Sequence, residues 1–576
     1  MASDLKSLRS LKLMGYKMKK LPISLGKLKH LKYLDISSTK VSVLPKSFSK
    51  LYHLQTSNFG YCCISLPSGT ANLISLRHVY SVHPRDISIM QLTSLRTLTD
   101  FVVGTKKGSQ IEDLGCLSQL RGKLMIFKLQ HVRSKLEASK ANLKEKTKLH
   151  QLALYWSRRH VGAVNNNNDE ERFPSWMGND VNSSGSSFLL YNMVELLLIN
   201  CNECTCTLSF GLLPSLKVLY IERMENVRRM VHKLQPGGAE SIRLFLALKT
   251  LTVCHMKRLE EWVEVVEDAT TGGQGVVVFP CLKKLLIYEC PLLKTWSMGG
   301  FSSHHKRSER LGIDSCTNLI SNPEDIGKLH SLNVLSIMDC KNLRSIPGEW
   351  LASLTCLKRL HLGPFWSELE DFPGLTSLHQ LHASLEELAL YGWDKLESLP
   401  HQLQHLTTLK ELKLWDFNGP EALPEWLGDL SCLHRLHIRN CSNLTHLPHQ
   451  LRHLIALKEL CLSDLNGLDA LPEWLGYLSS LYRLEIGNCS NLTHLPSIEA
   501  MRRLFNLQHL GIWGSPKLKK RCAKKRGPEW SKISHILKLG KFGFEDEQWI
   551  PTRTFPIVEE MGKAKWTPPT LDMLTC

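Results

Sequence analysis

No stretch of this chain approaches the roughly 20 uncharged apolar residues that a membrane-spanning helix needs. Its opening, MASDLKSLRSLKLMG, scatters basic residues among leucines and lacks an apolar segment before a small-residue cleavage site, so no secretory signal is expected. Cysteine is too sparse, at 18 residues, for a disulfide scaffold, and the expected setting is the reducing cytosol, or the nucleus. Gly-x-Ser-x-Gly, His-Glu-x-x-His and the kinase signatures are all missing. The run Gly272–Gly275 is not followed by the Gly-Lys-Ser/Thr that holds a phosphate. No enzyme, cofactor or metal is therefore expected. Acidic residues are in deficit, 54 against 72 Lys plus Arg, for a net charge of +18. That balance raises nucleic acid or an acidic surface as partners, depending on where the charge sits.

What is present is repetition. With 576 residues, 43% of them hydrophobic and 22% charged, the chain is long enough for several domains of ordinary globular composition. Residues 409–448 and 457–496 align without a gap, 30 of 40 positions being identical. Leading leucines recur every 24 residues, at Leu385, Leu409, Leu433, Leu457 and Leu481. The unit reads Leu-x-x-Leu-x-(Leu/Ile), then a Cys, Asn or Asp position, then Leu-x-x-Leu-Pro, which is the leucine-rich-repeat signature. Its Leu-x-Leu pair has period 2, so both leucines point to one face of a short strand. The same unit recurs at Leu8, Leu11 and Leu13; at Leu31, Leu34 and Ile36; and at Leu54 and Phe59. Later copies include Leu216, Leu219 and Ile221, and the last runs through Leu507, Leu510 and Ile512.

A single coil cannot bury its own leucines, and stacking makes the core. The expected fold is an α/β leucine-rich-repeat solenoid, or horseshoe. Its parallel β-sheet lines the concave face, with short helices, 3-10 turns and loops on the convex face. Breaks in the pattern set the organisation. Residues 1–160 form the N-terminal repeats, and 161–187 form a flexible Asn/Ser-rich insert with Asp169, Glu170 and Glu171. Residues 188–536 form the C-terminal repeats, with protruding loops at 267–275 and 300–309, and 537–576 form a poorly ordered tail.

Cys201, Cys204 and Cys206 have spacing that suggests metal, but a zinc site needs four ligands and no second pair lies nearby. Cys201, Cys290, Cys316, Cys340, Cys441 and Cys489 all fall three residues after the second apolar strand position, a turn where such a side chain satisfies the backbone from inside the coil. His446 and His494 occupy equivalent Thr-His-Leu-Pro turns and read as solvated, as do His304 and His305 in a loop. Surface remains the place for function. The strand residues flanking the leucines face the concave side, where solenoids bind. The protein-binding candidates are Tyr391, Glu411, Lys413, Trp415, Arg435, His437, Arg439, Arg483, Glu485 and Trp513. Exposed aromatics interleaved with arginine have the composition of a protein-binding hot spot, and their mixed charge suits a protein better than a polyanion.

A more specific signal lies in residues 93–156, within Phe101-Val102-Val103-Gly104, Ile111-Glu112-Asp113-Leu114-Gly115, Leu120-Arg121-Gly122, Ala141-Asn142-Leu143 and Trp156. With RFPSWM at 172–177 and LKKRCAKKRGPEWSKISHI at 518–536, this closely resembles the repeat domain of plant coiled-coil nucleotide-binding leucine-rich-repeat disease resistance proteins. The resemblance implies a non-enzymatic recognition module of innate immunity. Such a module binds a pathogen effector or a guarded host protein and restrains a nucleotide-binding module, in cis in a full-length relative or in trans. No coiled-coil or nucleotide-binding domain is found in the chain, and the repeat before RFPSWM is replaced by the Asn-rich run. The uncapped first coil, Leu5 to Leu13, is expected to make the isolated chain associate unless a partner covers it. The alternative is a substrate adaptor of a ubiquitin ligase, which would need an F-box-like segment; a secreted receptor ectodomain ranks third.

The charge is not evenly spread. Residues 1–50 hold 12 basic and 2 acidic residues, and residues 517–541 hold 10 basic residues and Glu529. The remainder is near neutral, so the basic ends suit docking onto an acidic neighbour and argue against nucleic acid.

Overall fold

A computed structural model describes residues 7–15, 18–60, 66–81, 91–106, 108–157, 192–202, 213–231, 243–263, 277–294, 308–320, 324–344, 346–370, 374–393, 395–396, 398–536 and 538–540. The insert 161–187, RFPSWM, the loop 267–275, most of 300–309 and the tail beyond residue 540 lie outside those residues, as do Cys204, Cys206, His304 and His305. The chain divides into two compact units, residues 1–369 with 373–385, and residues 370–372 with 386–576.

In the first unit, strands Ser10–Gly15, Tyr33–Thr39, Thr56–Gly60, His78–Ser81 and Thr97–Leu98 form one parallel sheet in chain order. A second parallel sheet runs from Asp100–Val102 through Gly122–Phe127, Leu149–Tyr155, Glu195–Ile199 and Val218–Glu222. It continues with Thr250–Cys254, Lys284–Tyr288, Arg310–Asp314, Val334–Met338 and Arg359–Gly363. In the second unit, Glu387–Tyr391, Glu411–Trp415, Arg435–Arg439, Glu459–Ser463, Arg483–Gly487, His509–Trp513 and Lys538–Gly540 pair in parallel in the same way. The last strand, Lys538–Gly540, falls beyond residue 536, inside the segment expected as tail.

Each strand is short because only its Leu-x-Leu pair has a core to enter. Leu34 and Ile36, and Leu436 and Ile438, are fully buried, each worth about 1.5–3 kcal/mol. Leu8, Leu11 and Leu13 of the first coil are only half-buried, unlike Leu31, Leu34 and Ile36 one coil on. The Leu-Pro pairs mark where the chain turns. Pro22, Pro45, Pro67, Pro400, Pro424, Pro448 and Pro472 each cap a five-residue 3-10 turn. Proline fits there because its fixed φ suits the turn and its missing N–H had no partner to lose.

The strands end in a recurrent left-handed residue. Asn200, Arg223, His255, Glu289, Ser315 and Asp339 in the first unit, and Asp416, Asn440, Asp464 and Asn488 in the second, all have positive φ. Each donates its N–H to a carbonyl of the following coil, for example Asp464 to Gly487 at 2.8 Å and Asn488 to Trp513 at 2.9 Å. This bond carries the sheet ladder through the turn, and Asn and Asp tolerate the conformation better than branched residues. One residue further on, Cys290, Cys316, Cys340, Cys441 and Cys489 are buried, and each thiol donates to a carbonyl two residues back. Cys201 is buried at the same position and is disulfide-bonded. Met224 and Met256 fill it in the intervening coils, giving a run of sulfur side chains from Cys201 to Cys340.

The described chain closes on a charged cap. Glu529 is buried, accepts from the Leu495 N–H at 3.1 Å, and pairs with Arg521 at 3.1 Å and Lys532 at 2.7 Å. Burial alone would raise its carboxyl, but Lys532, the Leu495 N–H and Arg521 together hold it below the usual carboxylate range.

Candidate protein-binding face

The strand register of the second unit puts the outward side chains in three columns. The first is Glu387, Glu411, Arg435, Glu459, Arg483 and His509. The second is Ala389, Lys413, His437, Cys461, Glu485 and Gly511, and the third Tyr391, Trp415, Arg439, Ser463, Gly487 and Trp513. All ten candidate residues therefore share one face. Adjacent rungs of a parallel sheet lie about 4.8 Å apart, close enough for neighbouring side chains to interact.

Much of the charge is spent within the face. Lys413 Nζ donates to Glu387 at 2.7 Å and lies 2.8 Å from Glu411. Arg435 donates to Glu411 through Nε at 2.7 Å and through an Nη group. Glu411 is 7% exposed and Glu485 8%, so neither is a solvated carboxylate. Burial alone would raise the Glu411 carboxyl, but Lys413 and Arg435 outweigh it and hold it down. Arg483 Nε donates to Glu485 at 2.8 Å. Arg439 meets Asp464 at 3.3 Å, in the turn after the next strand. His437 is half-buried among Glu387, Glu411, Lys413 and Arg435, and its Nε2 is buried without a hydrogen bond. Burial, reinforced by Lys413, pushes its imidazole down to about 4, so it is neutral at physiological pH. Tyr391 and Trp415 meet edge to face, with ring centroids 4.6 Å apart at 87°.

Three contributors lie outside the ten candidates, although Glu387 is legible in the sequence as an outward strand residue. Glu387 supplies a carboxylate to Lys413, Asp464 one to Arg439, and Gly487 the space that Trp513 fills. A signal for Asp464 exists, since Asp416 holds the equivalent place one duplicated unit earlier, but only the stack shows that it faces Arg439.

In the second sheet of the first unit, the positions equivalent to the third column are mostly closed to water. Phe127 and Tyr155 stack at 4.4 Å, and Ile199, Glu222, Cys254 and Asp314 are buried on the same column. Tyr220 donates to Glu222 at 3.0 Å and accepts from the Cys254 thiol at 3.1 Å, and burial pushes that thiol up to about 12. Along that column the second unit keeps Tyr391, Trp415, Arg439 and Trp513 half-buried, with part of each side chain open to solvent. His446 and His494 sit exposed in their turns, bonded to Thr445 at 3.0 Å and Thr493 at 2.7 Å. Among the described residues, no helix is long and apolar enough to cross a membrane, and no three His, Cys, Asp or Glu side chains are grouped to hold a metal.

Parallel strands, at a 24-residue period through much of the second unit, an inward leucine ladder and a left-handed turn after most strands define a leucine-rich-repeat solenoid. The chain belongs to the leucine-rich repeat region family, whose profile matches residues 2–293 and 278–527. It is 33% identical over 289 residues to disease resistance protein RGA2 of Solanum bulbocastanum, covering 44% of this chain and 27% of that protein. It is 30% identical over 339 residues to disease resistance RPP13-like protein 1 of Arabidopsis thaliana, covering 49% of this chain and 30% of that one. The chain thus spans less than a third of the length of either relative. Among solved structures, the TLR13–ssRNA13 complex matches with a TM-score of 0.50 at 16% identity, covering 89% of this chain and 82% of that one, a likeness of fold. The chain is a leucine-rich-repeat module similar to part of plant disease resistance proteins.

Proposed function

We propose that this chain is a non-enzymatic recognition module of plant innate immunity. It binds a pathogen effector or a guarded host protein on the outward face of strands Glu387–Tyr391 to His509–Trp513, and it restrains a nucleotide-binding module. The observation that carries the reading is the juxtaposition of Tyr391, Trp415, Arg439 and Trp513 on one rigid parallel sheet, the residue types that dominate protein-binding hot spots. The disease resistance relatives supply the biological setting. Restraint of a neighbouring module is supported by a basic row in the first unit. Arg9, Lys32, Gln55, Arg77, Arg96 and Arg121 follow one another through backbone hydrogen bonds of 2.7–2.9 Å, just ahead of the strands. The arginines and the lysine are exposed, and none pairs with a described carboxylate. Cytosol or nucleus is the compartment this role requires.

The test is a leaf cell-death assay of full-length relatives carrying these repeats, wild type or with Trp415→Ala, Arg439→Ala and Trp513→Ala together. Loss of effector-dependent death at unchanged protein level is expected. Undiminished death in the triple variant sinks the reading.

A further inference from the structure

The face offers a partner less charge than its sequence suggests. Lys413, Arg435 and Arg483 each donate hydrogen bonds to a carboxylate of the same face, namely Glu387, Glu411 and Glu485. Arg439 is different. Its Nε edge lies 3.3 Å from Asp464, no described group accepts a hydrogen bond from its guanidinium, and the side chain is 40% exposed. Asp464 Oδ2 is buried and likewise makes no hydrogen bond. A guanidinium has five donors on a planar fork, so with Asp464 beside the Nε edge both Nη groups remain for a second oxyanion. Arg483 also bonds through Nε alone, and what sets Arg439 apart is the pair of indoles in its column.

The rest of the third column frames that group. Ser463 is 4% exposed and Gly487 has no side chain. A Cβ on Gly487 would stand 2.1 Å from the Trp513 ring, so the indole lies across the Gly487 backbone. Trp415, packed on Tyr391, stands on the rung before Arg439. The column therefore presents a guanidinium between two indoles.

The internal duplication points the same way. The copies 409–448 and 457–496 are identical at 30 of 40 positions. Four of the differences fall on outward strand positions: Lys413 against Cys461, Trp415 against Ser463, His437 against Glu485, and Arg439 against Gly487. The first column is unchanged, Glu411 matching Glu459 and Arg435 matching Arg483. One frame thus tolerates different side chains in the second and third columns, whereas the first column keeps its alternating charges.

We propose that the third column, centred on Arg439 between Trp415 and Trp513, is the strip that reads the partner, and that it takes an aspartate or glutamate side chain flanked by aromatic or aliphatic residues of a protein. This rests on the reading that the face binds a protein, and it assigns Glu411, Arg435, Arg483 and Glu485 to the scaffold of the face. The carboxylate meets the free Nη groups, and the indoles shield the pair from water, where a charge-assisted hydrogen bond gains strength.

Random dodecapeptides displayed on phage and selected on the immobilised full chain provide the probe. Enriched peptides should carry Asp or Glu beside an aromatic or aliphatic residue. Arg439→Gln, Trp415→Ala and Trp513→Ala should each weaken a selected peptide by roughly tenfold or more at unchanged melting temperature, with Arg439→Lys intermediate. Arg483→Gln should change affinity by about twofold or less. Peptides that lack an acidic residue, or that bind Arg439→Gln as well as wild type, overturn the strip. If such peptides still lose binding with Lys413→Ala or Tyr391→Ala, the face reading survives; if no substitution on the face matters, both readings fall.

Discussion

His437 shows how a residue's chemistry is set by its neighbours. Lys413 and Cys461 hold the adjacent rungs of its column, Arg435 and Arg439 precede and follow it on its own strand, and Glu411 and Glu387 lie within electrostatic reach. Burial and the nearby cations outweigh the carboxylates, and the imidazole is driven down to about 4. Its folded pKa is below the unfolded value of about 6.5, so the unfolded chain binds the extra proton and stability falls as pH drops from about 6.5 to about 4. His437→Gln should remove that part of the pH dependence, on the order of 1–3 kcal/mol after allowance for solvent screening. Urea titrations of both proteins at pH 7.5 and 4.5 check this; equal losses in the two would count against it. The sequence shows a histidine at an outward position and reads it as a binding candidate. That its Nε2 is buried depends on neighbours from adjacent strands, Glu387, Glu411 and Lys413 among them.

At the scale of the element, one coil is a strand, a left-handed turn and a Leu-Pro-capped 3-10 turn, and its stability comes from the coils on either side. Gly428 illustrates the closeness required. It lies in the turn Glu425–Asp429, and a Cβ there would stand 2.3 Å from the Gln450 carbonyl oxygen of the next coil. Backbone cannot yield as a flexible side chain can, so Gly428→Ala should destabilise the second unit by about 1–3 kcal/mol. Thermal melting followed by near-ultraviolet circular dichroism measures this, and an unchanged midpoint would show that the coils can part at no cost. The period, the strands and the capping prolines were all legible in the sequence. The reason this glycine is required was not, because its neighbour lies a full coil away in the chain.

For the whole molecule, the net charge of +18 is a question of placement. The sequence locates basic clusters near residues 1–50 and 517–541, and folding adds Arg77, Arg96 and Arg121 to the first by bringing them onto one row with Arg9 and Lys32. Their field reaches His78, which burial, followed by Arg121, Arg96 and Arg77, pushes down. Exposed charges act through solvent and are screened beyond a Debye length of about 8 Å at physiological salt. The row should therefore bind poly-L-glutamate with an affinity that falls steeply with salt. Arg77→Glu, Arg96→Glu and Arg121→Glu together should weaken it by roughly tenfold and flatten the salt slope. Fluorescence anisotropy across a salt series tests this; tighter binding of a single-stranded oligonucleotide than of polyglutamate at physiological salt would restore nucleic acid as the partner.

Sequence alone determined the repeat, the parallel strands, the inward leucines, the buried cysteine turns and the family. Each of these follows from periodicity, and periodicity is a property of the chain read in order. Tertiary structure decided which charges are spent and which are available. Arg435 and Arg439 look alike in the sequence, yet one is held by Glu411 and the other faces Asp464 with Nη groups to spare. The difference arises because stacking brings residues 24 or 25 positions apart to within hydrogen-bonding distance, and electrostatics in a half-buried face is settled at that distance.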